Sequence, residues 1–249
     1  MREGGRKALV PYVMAGGSPD WPTVVRAVAA AGADAIELGF PFSDPMIDGA
    51  VIQEAGRRAL QGGMTMQHAL DVVADIDVGI PIVGMTYYNL VLRAGHRRAA
   101  RSMAAAGVTG AILVDLSLEE IGPWAEEADA AGVATVLLVA PSTPPARAEA
   151  LCTRSRGFVY AVARMGVTGE RSTLGDEAAR VVERIRDCTD TPAYVGIGIS
   201  TPDQAAEACR VADGVVVGSA LVRRVLEGGG PEAAAELVGD MRRALDAGA

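Results

Sequence analysis

The chain has 249 residues, of which 50% are hydrophobic but only 4% aromatic, and a formal net charge of -8. That apolar content fills one large core of Ala, Val, Leu and Ile, and the length suits a single eight-fold α/β barrel. The acidic balance argues against nucleic acid or an anionic membrane surface as the main partner, and no apolar run approaches the ~18 residues of a membrane helix.

Cys152, Cys188 and Cys209 stand far apart with no CxxC spacing, the pattern of reduced thiols in a cytoplasmic protein. His68 and His96 sit in polar helical contexts without neighbouring ligands, so no metal site is expected. Residues 1–7 are basic and Gly-rich and lack a small-residue cleavage site, so they do not read as a signal peptide.

The first predicted strand covers 8–14 (ALVPYVM), with an irregularity at Pro11. The turn Gly16-Gly17-Ser18-Pro19-Asp20 is expected to start a helix, with Ser18 as cap and Pro19 at the first helical position, stopping at Gly32. A second strand over 35–38 leads into an acidic loop. Helices over 51–60 and 66–75 follow, separated by Gly62-Gly63, with Thr65 capping the second. Strands are then expected over 81–85, 111–114, 133–139, 158–162, 193–195 and 214–217. The helical patterns between and after them cover 95–106, 118–131, 145–153, 176–187, 202–211, a stretch from 219, and 231–247.

The strands are continuous apolar runs rather than alternating ones, as parallel strands buried on both faces require. The recurring step Ala31-Gly32, Ala106-Gly107 and Ala131-Gly132 is a helix C-cap leading into the next strand. No linker divides the chain. The expectation is one domain over residues 1–249, a single (β/α)8 TIM barrel of the α/β class.

Chemistry in such barrels sits at the C-terminal ends of the strands. Those ends carry Tyr12, Glu37, Asp48, Tyr87, Asp115, Tyr160, Arg164, Thr168, Gly198, Gly218 and Ser219. Glu37 ends an apolar run, and burying a carboxylate is costly unless it is paired or its pKa rises. Such a group can give and take protons near neutrality, which makes Glu37 and Asp48 the acid/base candidates. Asp48 could stay ionised and accept a hydrogen bond from a substrate N–H, whereas Asp44 reads as a structural neighbour or helix cap.

Strands seven and eight run into Gly196-Ile197-Gly198 and Val217-Gly218-Ser219, the usual place for a barrel phosphate site. The loop 166–175 (GVTGERSTLG) has the composition of a lid, with Thr168 at its tip. The only lysine is Lys7, before strand one and so at the far end of the barrel. Schiff-base aldolase chemistry needs a lysine at the active mouth, and no metal-ligand cluster replaces it. Cofactor-free acid/base chemistry on a phosphorylated substrate is what remains.

The motifs IELGFPFSDPMIDGAVIQ (36–53), MTYYN (85–89), GVTGERS (166–172), GIGIST (196–201) and ADGVVVGSALV (212–222) together resemble the tryptophan synthase alpha chain family. The resemblance implies retro-aldol cleavage of indole-3-glycerol phosphate to indole and glyceraldehyde 3-phosphate. It makes Glu37 and Asp48 catalytic, and Tyr160 and the lid threonine Thr168 substrate-binding. Gly169, Gly198, Gly218 and Ser219 become phosphate contacts. It also implies a beta-chain partner, which carries pyridoxal phosphate while this chain carries no cofactor. The loop after strand four reads Val114-Asp115-Leu116-Ser117, keeping the family's aspartate without its two prolines, and makes Asp115 the partner-interface candidate. Two other readings stay open: a stand-alone indole-releasing paralogue in secondary metabolism, and a catalytically silent activator of a beta chain.

Overall fold

The computed structural model of the chain describes residues 6–162, 174–196 and 198–248. Its strands are β1 (Ala8–Met14), β2 (Ile36–Gly39), β3 (Ile82–Thr86), β4 (Val108–Leu113), β5 (Ala134–Thr135), β6 (Leu137–Val139), β7 (Val159–Val162), β8 (Ala193–Gly196) and β9 (Gly214–Val217). They form one parallel sheet in the order β5-β4-β3-β2-β1-β9-β8-β7-β6.

The two ends of that order, β5 and β6, are one stave interrupted at Val136. Val136 N–H donates to the Ala111 carbonyl, whereas Leu137 N–H donates to Ser155 Oγ. Counting that stave once turns nine segments into eight, and the sheet closes as a barrel. The predicted strand over 133–139 is therefore broken in its middle, because Ser155 takes a backbone donor that a neighbouring strand would otherwise hold.

Side chains alternate in the expected way. Leu9, Val13, Ile36, Leu38, Val215 and Val217 face the helices, in the larger core. Ala8, Val10, Ala35, Val83, Ile112, Tyr160, Tyr194 and Val216 fill the barrel interior. Tyr12 and Met14 top that filling and pack against Ile52, Ala55 and Ala59 of the helix Ala50–Gln61.

Two local expectations need correction. The first helix is Trp21–Ala30, with Pro22 in its first turn, so Ser18 is not its cap and Pro19 is not its first residue. The chain spends 15–20 on the turn instead: Gly16 takes φ 75° and Gly17 N–H donates to the Met14 carbonyl. A helix at Tyr88–Ala94, which the pattern did not predict, precedes His96–Ala105. Thr65 does cap Met66–Val73, accepting from the His68 N–H.

The N-terminal end of the barrel is tied by charge. Asp34 accepts from Leu9 N–H and pairs with Arg242, which also donates to the Lys7 carbonyl. Lys7 Nζ donates to the Ala212 carbonyl, just before β9, which places the amine opposite the mouth as expected.

Candidate active site

Glu37 lies on β2 facing the barrel interior and is 2% exposed. Among the described residues its Oε2 has no hydrogen-bond partner. Burial pushes its pKa up to about 8, and the nearby Asp48 charge adds to the rise. A buried carboxyl with an unpartnered oxygen avoids the cost of desolvating a charge by keeping its proton.

Asp48 stands on the loop after β2, half-buried beside Tyr87. Partial burial raises its pKa, and a hydrogen bond with Tyr87 opposes the rise. Two carboxyls in one site thus have unequal environments, the arrangement that separates an acid from an anion. The Tyr87 hydroxyl also accepts from Ile47 N–H at 3.0 Å, and its ring stacks on Phe42 at 4.9 Å. These contacts fix the acidic loop over the strand ends. Neither Asp44 nor Asp48 caps the helix Ala50–Gln61, whose cap position is Gly49. Asp44 is exposed and accepts from the Ser43 hydroxyl, as befits a structural neighbour.

Tyr12 and Tyr160 complete the cluster. Tyr12 on β1 is the register partner of Glu37. A Cβ on Gly39 would stand 1.9 Å from the Tyr12 hydroxyl, and one on Gly196 would stand 2.1 Å from the Tyr160 hydroxyl. Each phenol therefore occupies the place of a missing side chain on a neighbouring strand, so both glycines are sterically required. Burial holds both phenols neutral, and the Glu37 charge acts on both in the same direction. Sequence reading placed Tyr12 and Tyr87 at strand ends without giving them roles, which depend on Gly39, two residues beyond the register partner of Tyr12, and on the fold of the acidic loop.

Tyr12, Phe40, Asp48, Met85 and Tyr87 line one narrow cleft at the mouth. Its walls are largely apolar, with Asp48 as a polar edge. On the adjacent strands, Gly198 follows β8 with φ 99°, and Gly218 precedes the helix Ser219–Arg224. Exposed Ser219 opens that helix, where the first backbone N–H groups lack intrahelical acceptors. The structure thus places Glu37, Asp48, Tyr160, Gly198, Gly218 and Ser219 at the same end of the barrel. Thr168 and Gly169, with the rest of 163–173, lie outside the described residues.

Asp115 follows β4 at that end as well. Its carboxylate accepts from the Tyr88 N–H at 2.6 Å, at the start of the helix Tyr88–Ala94. Met46, Ile47 and Leu92 are exposed apolar side chains on the neighbouring loop and helix. Among the described residues no three His, Cys, Asp or Glu side chains gather where they could hold a metal ion, and no helix is long and apolar enough to cross a membrane.

The model of the family described as "Tryptophan synthase alpha chain" matches residues 1–245. A tryptophan synthase alpha chain from Halorhodospira halophila is 46% identical, over 98% of this chain and 93% of that one. One from Phenylobacterium zucineum is 48% identical, over 90% and 82%. Among solved structures, Mycobacterium tuberculosis tryptophan synthase superposes with a TM-score of 0.91 at 39% identity, covering 98% of this chain and 94% of that one.

Proposed function

The chain belongs to the tryptophan synthase alpha chain family, and on that premise we propose that it cleaves indole-3-glycerol phosphate to indole and glyceraldehyde 3-phosphate. The observation that carries this reading is Glu37, a buried carboxyl whose Oε2 has no partner among the described residues, beside a second, better solvated one. With its pKa near 8, Glu37 enters the reaction protonated and gives its proton to indole C3. Its carboxylate then takes the proton of the hydroxyl on the carbon attached to the ring. The O–H electrons form the aldehyde, the C–C bond breaks, and its electrons restore the aromatic ring. Asp48, held by Tyr87, accepts the indole N–H and offsets the positive charge of the protonated ring.

Tyr160 contacts the substrate beside the reacting carbon. Gly198, Gly218 and Ser219 hold the phosphate through backbone N–H groups and the serine hydroxyl, and the family likeness adds Gly169 to the phosphate contacts and Thr168 to the substrate contacts. No cofactor is assigned to this chain, whose single lysine is engaged at the opposite barrel end. The partner is a beta chain carrying pyridoxal phosphate, docked at the mouth near Asp115 and the exposed Met46, Ile47 and Leu92. The setting is cytoplasmic.

Indole release from indole-3-glycerol phosphate, measured with and without a beta chain, tests the reading. Slow turnover that the partner strongly stimulates is the expected result. Robust release by the isolated chain would favour a stand-alone indole producer, and no turnover in either case would contradict an enzymatic role.

A further inference from the structure

Two buried polar groups at the mouth are poorly matched. Among the described residues Glu37 Oε2 has no partner, and the Tyr12 hydroxyl donates to the Met14 thioether, 3.9 Å away. A thioether is a weak acceptor, and unsatisfied buried polar groups are uncommon enough to need a reason.

Their relative placement supplies one. Tyr12 and Glu37 are register partners on β1 and β2, both facing the interior. The Tyr12 hydroxyl sits within 1.9 Å of where a Gly39 side chain would begin. Gly39 is the next same-face position after Glu37, roughly 7 Å along the strand. The phenol oxygen is therefore placed one side-chain step above Glu37, on its mouth side, within reach of an extended glutamate.

We propose that the Tyr12 hydroxyl is the positioning donor for Glu37, moving its hydrogen bond from the Met14 sulfur to the Glu37 carboxylate whenever that carboxylate is ionised. This deepens the reading above and rests on it for its catalytic consequence. In the cleavage, Glu37 gives its proton to indole C3, and Tyr12 holds the resulting carboxylate. Glu37 then recovers a proton from the substrate hydroxyl, and the Tyr12 bond returns to sulfur. Tyr12 itself neither gains nor loses a proton, so one proton moves from oxygen to carbon overall. Asp48 is an acceptor of like charge, and the Tyr87 hydroxyl is engaged with Ile47 and Asp48. Tyr160 also faces the Glu37 charge, from β7, with its hydroxyl over Gly196.

Tyr12→Phe removes the hydroxyl and keeps the ring. Titration of Glu37 by carbon-13 NMR of the carboxyl-labelled, ligand-free protein is the decisive measurement, because it needs no turnover. The midpoint should rise by about one pH unit, since the lost donor stabilised only the ionised form. In turnover assays kcat should fall roughly tenfold with KM within a few-fold, and the basic limb of kcat/KM should move to higher pH with the NMR midpoint. An unchanged or lower Glu37 midpoint would overturn the proposal, as would a displaced midpoint with kcat within twofold of the native enzyme. Absence of indole release by the native chain would contradict the proposed function instead, and leave the NMR result to decide the Tyr12–Glu37 contact.

Discussion

Glu37, on which the proposed chemistry rests, also costs stability. Its folded pKa of about 8 lies above the ordinary carboxylate value, so the native state holds a proton that the unfolded state has released. The Glu37 contribution to stability therefore falls as pH rises from about 4.5 to about 8, and levels off above that. Glu37→Gln removes this titration. Urea unfolding at pH 5 and pH 8 should show the variant gaining on the native chain by on the order of a few kcal/mol at the higher pH. An equal difference at both pH values would mean that Glu37 is not buried as a neutral acid. The identity of this residue was legible in the sequence, because a glutamate ending an apolar strand has few structural uses. The roles of Tyr12 and Tyr87 were not legible, since they come from ring placement over Gly39 and from a loop that folds back onto β3.

At the scale of elements, strands were read more accurately than their connections. β1 and β9 have the predicted bounds, because each is a short, continuous apolar run bounded by turn residues, the pattern of a strand buried on both faces. The split between β5 and β6 depends on the side chain of Ser155, remote in sequence, which no local pattern records. The helix Tyr88–Ala94 was missed because its first turn is held from outside, by Asp115. That contact bears on the partner question as well. Asp115 is a cap within the chain whether or not it meets a beta chain. Asp115→Ala should cost about 1 kcal/mol in the isolated protein, and Asp115→Asn much less. Thermal unfolding of the two variants checks this. Asparagine destabilising as much as alanine would show that charge, rather than capping, sets the role of Asp115.

At the scale of the whole molecule, the barrel separates stability from chemistry. Its N-terminal end is closed by Asp34, Arg242 and Lys7, and its C-terminal end gathers the carboxyls, phenols and glycines. Repeated strand-helix units made this division legible, and the structure ties the single lysine, Lys7, to the N-terminal end. The central claim is that the mouth is an acid/base site organised by Glu37. It is tested most directly by indole release from indole-3-glycerol phosphate by Glu37→Gln in the presence of a beta chain, alongside calorimetric binding of glycerol phosphate. Turnover should fall by at least about a thousandfold while phosphate-ligand affinity stays within a few-fold. Residual turnover within tenfold of the native enzyme, at unchanged affinity, would contradict the claim.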